Sequence, residues 1–374
     1  MTAEKRNSNR RVTLQALPRG TEGFEVSRAV RRVAEAGTDF SWLSRGDTVL
    51  IKVAANSDNR YPATTSPQAV WAMARLLYKK GAGKVMVGDK SGVQSVFQDP
   101  GRTRGSTRKV MTQNTLYQAA GEGGAEVFCF EEAGHHAYFG ERTVTPGHWK
   151  AELMLPDILN QVDHVVLLPR VSRHVLSGTT LGLKAAVGWL RDDSRLELHR
   201  DAASFLAKIA EINDAATLRR KLRFTLTDAT KVQTTFGPDR GFAAEPDPGL
   251  IFASESLLAH DMVALGWLLW ARANATPERY FAWYHDPYTF LPGAMNRAFV
   301  FQIWGLKALV RSETYAGVTI ESVGSDPVLV RAAELWGGFP EIELEDVNGN
   351  LPAAIRRFLL EKAQTGAPES GGPF

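Results

Sequence analysis

Short runs of aliphatic and β-branched residues alternate along the chain with longer stretches whose apolar positions recur every three or four residues. VTLQAL (12–17), TVLIKVA (48–54), KVMVGD (84–89), AEVFCF (125–130) and DHVVLLP (163–169) read as strands. Nearly continuous apolar runs of this length suit strands buried on both faces. Helical windows fall between them, at about 25–36, 66–80, 112–120 and 153–160. Ser66 and Pro67 mark one helix start, a hydroxyl for the N-cap and a proline for the first turn. Strands separated by helix-length segments predict parallel pairing through right-handed crossovers.

A second set follows a helical stretch at 203–220. FTLTDA (224–229) and GLIFAS (249–254) read as strands, then come helices at 257–271, 294–310 and 328–336, a strand at 341–345 and a helix at 352–362. The pattern predicts an α/β protein of two Rossmann-like lobes with largely parallel sheets. An N-terminal lobe over 11–220 carries the candidate chemistry, and a C-terminal lobe over 221–362 carries an aromatic-rich insertion. The ends, 1–10 and 363–374, read as disordered tails from their charge and their Gly, Pro and Ser content.

Composition narrows the class. The chain has 374 residues, 44% hydrophobic and 23% charged, with a net charge of +3. That balance is globular, and too nearly neutral to argue for nucleic acid or an anionic membrane as partner. No apolar segment opens the chain, and the longest apolar stretch, Leu257 to Ala271, is broken by His260 and Asp261. A cytoplasmic protein with no membrane span is expected. The single cysteine, Cys129, sits in an apolar run, so a buried, inert thiol is expected and no iron–sulfur cluster in this chain.

Two glycine clusters, Gly81-Ala-Gly83 and Gly121 to Gly124, precede strands. A dinucleotide fingerprint follows a strand and opens a helix, so these read as helix C-caps. There is no Walker loop, HExxH or GxSxG motif. Thr64 and Thr65 stand beside the helix start at Ser66, where free N–H groups favour an anion. Asp89 ends a strand, on the edge where open α/β sheets bind ligands.

Candidate chemistry is densest from Pro169 to Arg200. His174, Lys184 and His199 follow a buried strand, with a Ser-Gly-Thr-Thr turn between the first two. Imidazoles move protons or ligate metals near neutral pH, and a lysine among them binds an anion or forms an adduct. His174, Lys184 and Asp89 are therefore candidate catalytic groups. Lys52, Thr64, Thr65, Arg173 and Thr180 are candidate substrate- or anion-binding groups, and His199 and His174 candidate metal ligands. A divalent transition metal (nickel, zinc or iron) is a candidate cofactor. A carboxylate is expected behind at least one imidazole, from Asp192, Asp193 or Asp89. His135, His136 and His148 flank another loop and read as surface residues. An aromatic cluster from Trp267 and Trp270 to Tyr280, Trp283, Tyr284 and Phe290 divides between core and a ligand or partner surface.

The order of these motifs resembles the domain-of-unknown-function family 362, from about Val49 to Trp270. The resemblance rests on Ile51-Lys52, the turn Thr64-Thr65 with Pro67, Gly88-Asp89, the VDHVVLLPR strand, His174, the run Thr180 to Gly188, His199, the TDA at 227–229 and Asp261. The chain departs from the family at Ser172-Arg173, where Lys-Thr is usual, and at Ala185, where Asn is usual. More distantly, the order histidine, glycine-rich turn, lysine, histidine is similar to that of nickel-pincer lactate racemases, which also have two Rossmann-like lobes. That resemblance implies that Lys184 anchors a cofactor or substrate, His199 ligates a metal and His174 acts as acid or base.

The resulting expectation is an isomerase- or oxidoreductase-type enzyme moving a proton or hydride on a small organic acid or specialised metabolite, with or without a metal. A homo-oligomer is compatible with it. The rival is a non-catalytic binding or scaffold protein that uses the aromatic-rich surface.

Overall fold

The computed structural model describes residues 10–235, 237, 241–274, 291–311 and 320–364, with the backbone alone for 291–295. Tyr280 to Phe290 of the aromatic cluster and most of both tails lie outside the described residues. Among the described residues the largest sheet has eight strands. In chain order they are β1 (Arg11–Leu17), β2 (Thr48–Val53), β3 (Lys84–Asp89), β4 (Glu126–Cys129), β5 (His164–Leu168), β6 (Leu222–Ala229), β7 (Gly249–Ser254) and β8 (Glu343–Asp346). Their spatial order is β8-β1-β7-β6-β5-β2-β3-β4. Only β7 runs against its neighbours, β1 and β6; every other pairing is parallel.

The α/β class and the largely parallel pairing agree with the sequence pattern. The strands expected on either side of residue 220 share this one sheet, because β6 pairs with β5. An apolar strand states that it will be buried but not which neighbour buries it.

Period-two alternation splits the core between the two faces. Val49, Ile51 and Val53 of β2 join Val166, Leu168, Phe224 and Leu226 in one cluster. Helices α1 (Phe24–Gly37) and α2 (Pro67–Lys79) cover that face. Burial of Val26, Ala29, Val30, Val33 and Ala34 is the apolar stripe of a helix packed on one side. Ser66 caps α2, its Oγ accepting from the Ala69 amide, with Pro67 in the first turn. On the other face Leu50, Val165, Leu167 and Phe252 pack in a larger cluster with a buried helix, Leu257–Ala273. Trp267 is part of that core, its indole N–H donating to the Ala229 carbonyl. No described helix is long and apolar enough to cross a membrane.

Three segments differ from the pattern. Residues 153–160, expected as helix, form a strand, Leu153–Pro156, paired with Tyr138–Glu141, and then a short helix, Ile158–Gln161. Three apolar residues before a proline carry no period, and pairing decided them. The helix expected at 112–120 divides into Thr107–Gln113 and Leu116–Glu122. The helix expected at 294–310 divides at Gly305, φ 80°, into Leu291–Trp304 and Leu306–Val310.

A small second sheet begins beyond the carboxyl ends of β5 and β6. It joins Gly178–Thr180, Ser172–His174, Val232–Gln233 and Ala243–Ala244 in that order. This places the His174 hairpin over the edge of the main sheet.

Candidate functional site: a cationic cavity at the carboxyl edge

A cavity of about 460 Å³ opens where β2, β3 and β5 end, within the size range of small-molecule sites. Lys52 and Asp89 come from the ends of β2 and β3, and Arg170 follows β5. The opposite wall is built by His174 and Thr180 of the hairpin and by Lys184 of the turn after it. Arg195 and His199 of helix α3 (Asp192–Arg200) complete it, with Phe299 of the helix Leu291–Trp304. Lys52, Asp89, His174, Thr180, Lys184 and His199, separated by up to 147 positions in the chain, thus face one space.

Its floor is an ion pair. Lys52 Nζ lies 2.8 Å from Asp89 Oδ1 and also donates to the carbonyls of Val53 and Ala185. Asp89 accepts from the amides of Lys90 (2.8 Å) and Ala55 (2.7 Å) as well. Burial pulls the Lys52 ammonium below its usual range, opposed by Asp89. A Cβ at Gly188 would land on Asp89 Oδ1 and Lys52 Nζ, so only glycine lets the chain close over the pair. Asp89 is therefore committed to holding two strand ends together.

The two imidazoles present opposite nitrogens. His174 Nδ1 accepts from the backbone amides of Leu176 (3.0 Å) and Ser177 (3.2 Å). Its proton is thereby fixed on Nε2, as a donor. Burial, then the charges of Lys184 and Arg170, push His174 well below the usual imidazole range, so the ring is neutral. His199 Nδ1 lies 3.3 Å from Asn296 Oδ1, while the Asn296 amide nitrogen donates to the His199 carbonyl at 2.8 Å. That second bond orients the amide, so Nδ1 carries the proton and Nε2 keeps its lone pair. Burial lowers His199 to about 3, with Lys184 and Arg195 acting in the same direction.

The expected carboxylate behind a histidine is thus replaced by two backbone amides at His174 and by an amide side chain at His199. Asp192 pairs with Lys90, Asp193 with Arg191 and Asp89 with Lys52. Among the described residues no three His, Cys, Asp or Glu side chains gather to hold a metal. With His174 presenting N–H, His199 Nε2 is the one imidazole lone pair of the pair. This donor set does not fit a divalent metal held by protein side chains, which needs three or four ligands.

Lys90 and Arg195, both buried and lining the cavity, escaped the sequence reading. Lys90 Nζ pairs with Asp192, whose other oxygen accepts from the Gln98 amide. Burial first, then the Arg195 charge, lower Lys90 to about 8. On its far side α3 is tied down by the buried Lys208, which pairs with Glu197 and Asp201. Asn296 was missed because it lies 97 positions from His199.

The turn carrying Lys184 rests on a buried chain. Thr227 Oγ1 lies 2.9 Å from His260 Nε2, and His260 Nδ1 lies 2.8 Å from Asp261 Oδ1. Asp261 accepts from the amides of Gly182 (2.9 Å) and Leu183 (2.6 Å). The order resembles a hydrolase triad, yet all three residues are 0% exposed and none lines the cavity. Its effect is to fix the backbone under Lys184. Asp261→Ala leaves two buried amides and His260 without their acceptor and is expected to cost about 2–4 kcal/mol. Denaturant unfolding measures it.

The remaining candidates lie elsewhere. Thr65 Oγ1 donates to the Leu168 carbonyl and accepts from the Ala54 amide, and Thr64 Oγ1 donates to the Asn59 carbonyl. Their hydroxyls are spent on backbone, and neither residue lines the cavity. Arg173 is buried, with Nη1 donating to the Gly178 carbonyl inside its own hairpin. His135, His136 and His148 do not line the cavity, and His148 Nδ1 contacts Glu211. Cys129 is buried, and burial pushes its thiol above the usual range.

The fold is that of an open α/β protein with a cavity at the carboxyl edge of its sheet. The chain belongs to the family described as a domain of unknown function (DUF362), whose family model matches residues 49–266. No curated protein matches its sequence. Among solved structures it is similar to the lactate racemase apoprotein from Thermoanaerobacterium thermosaccharolyticum. That likeness has 15% identity and a TM-score of 0.43, over 70% of this chain and 58% of the other. It is also similar to a Thermotoga maritima protein, with 14% identity and a TM-score of 0.41, over 64% and 57%. The chain spans less than three fifths of either structure's length.

Proposed function

We propose that this protein is an enzyme that moves a proton on a small organic anion, at a carbon beside a carboxylate or carbonyl, without a protein-held metal. One observation carries the reading. Two neutral imidazoles, one offering N–H and the other a lone pair, share a cavity whose lining has five cationic side chains and one carboxylate. The cations are Lys52, Lys90, Arg170, Lys184 and Arg195; the carboxylate is Asp89.

In this reading Lys184 attracts the substrate's acid group. His199 Nε2 takes the proton from carbon, and the C–H pair moves into the adjacent C–O system. The developing oxyanion accepts a hydrogen bond from His174 Nε2–H, as a neutral imidazole can provide. His199 at about 3 is a weak base in the empty site. An anion beside it favours the imidazolium, so base strength rises when substrate binds. The proton returns to the same carbon or to its neighbour.

The test is incubation with small hydroxy and keto acids in deuterium oxide, followed by proton NMR. Exchange of a hydrogen beside the acid group is expected in wild type and a loss of at least 100-fold in His199→Gln, typical of a positioned acid–base group. Lys184→Ala should abolish ligand binding while the protein still folds. Affinity for acids should weaken above about pH 8, where Lys90 gives up its charge. Acids that bind with no exchange at any position would make this a binding protein and overturn the reading.

A further inference from the structure

Arg195 is 3% exposed and lines the cavity. A guanidinium has five N–H donors. Arg195 uses three of them on neutral carbonyls: Nη1 on Ser91 (2.6 Å), and Nη2 on Lys90 (2.9 Å) and Gly188 (3.3 Å). Its Nε is buried with no partner. The nearby acids are taken, Asp89 by Lys52 and Asp192 by Lys90. Among the described residues no carboxylate forms an ion pair with Arg195. A buried cation without a counter-charge is unfavourable, so the protein maintains a position that an anion would relieve. Thr180 Oγ1, also in the lining, is a second buried polar atom without a hydrogen-bond partner.

Arg195 and His199 are four residues apart on α3, so they project from the same face about 6 Å apart along the axis. Lys184, in the short helix Gly182–Ala185, lines the same cavity, and the His199 ring feels the charge of both Lys184 and Arg195. His174 feels Lys184 and Arg170 most strongly. The proton-moving imidazole therefore shares its cavity with two cationic positions close enough to act on it.

We propose that the substrate is a dianion, with one acid group at Lys184 and a second, a carboxylate or a phosphate, at Arg195. This deepens the proposed function and rests on it. With both cations close to His199, the two acid groups must lie near the reacting carbon, which selects a short chain bearing two acid groups. Arg195 is the specificity-determining residue, because it offers a permanent charge on the helix that carries His199, with hydrogen bonds to neutral carbonyls and an Nε that has no partner.

Calorimetric titration at fixed ionic strength with butyrate, succinate and phosphoglycolate tests the proposal. In wild type both dianions are expected to bind at least ten-fold more tightly than butyrate, and the tighter of the two identifies the second group. In Arg195→Gln the dianions should lose at least ten-fold, far more than butyrate loses. Arg195→Lys, which keeps the charge, should recover part of the difference and guards against a variant that fails to fold. Equal wild-type affinity for butyrate, succinate and phosphoglycolate overturns the dianion while leaving the proposed function standing. So does a dianion preference that survives in Arg195→Gln. If no acid of either kind binds, the cavity is not an anion site and both readings fall.

Discussion

Asp89→Ala is expected to lower the unfolding free energy by about 3–5 kcal/mol, the cost of removing one partner from a buried ion pair. The carboxylate holds Lys52 at 2.8 Å and accepts from two backbone amides, Ala55 and Lys90. Its loss leaves an ammonium, 1% exposed, with two carbonyls for company. The same loss frees the ends of β2 and β3, on which the cavity stands. A double variant, Lys52→Met with Asp89→Leu, should recover part of the loss, since no lone charge remains. It should not recover all of it, because the two amides still lack an acceptor. Urea unfolding of the three variants makes the measurement. A cost under about 1 kcal/mol for Asp89→Ala would show that the pair is not what joins the strand ends, and would return Asp89 to the list of groups free to act on substrate.

That assignment shows where sequence reading reaches its limit. The parallel strands were legible because burial on both faces leaves continuous apolar runs such as TVLIKV, and Ser66-Pro67 marked a helix start by its chemistry. The short strands at 172–174, 178–180 and 232–233 were not, since two or three residues carry no period and pairing alone defines them. The same division runs through the site. His174, Lys184 and His199 stood out because three chemically versatile side chains follow one buried strand. Arg195 lies in the same segment, yet in RDDSRLELHR it reads as one more charge on a solvated helix. Whether a helical charge meets water or a cavity is decided by the packing of α3, through Lys208 on its far side. Likewise a histidine's tautomer is set by its second partner. For His199 that partner is Asn296, a residue with no signal of its own in the sequence.

Acid should destabilise this protein from about pH 6.5 downward, and His199 should account for a measurable part of it. The ring's ordinary value of 6.5 falls to about 3 in the folded chain, and His174 also lies well below 6.5, burial being the main cause for both. Between those limits the unfolded chain holds the proton and the folded chain does not. Falling pH therefore favours unfolding, by up to about 1.4 kcal/mol per pH unit for each such ring. Their contribution is fully present above pH 6.5 and is lost as pH drops toward the folded values. Asp326 acts in the opposite sense. It is fully buried at the start of the helix Pro327–Trp336, and burial raises its carboxyl from 3.8 to about 6. Between pH 6 and 3.8 the folded chain takes that proton more readily, which offsets roughly one histidine. The net slope of these three groups is then close to one proton, and His199→Gln should remove it. Urea unfolding of wild type and variant at pH 7, 6, 5 and 4 compares the slopes. Parallel curves would mean that His199 is not held neutral, and with that the lone pair assigned to it as a base would be lost. Binding of succinate should oppose the acid effect in wild type, because an anion beside His199 makes its protonation less costly.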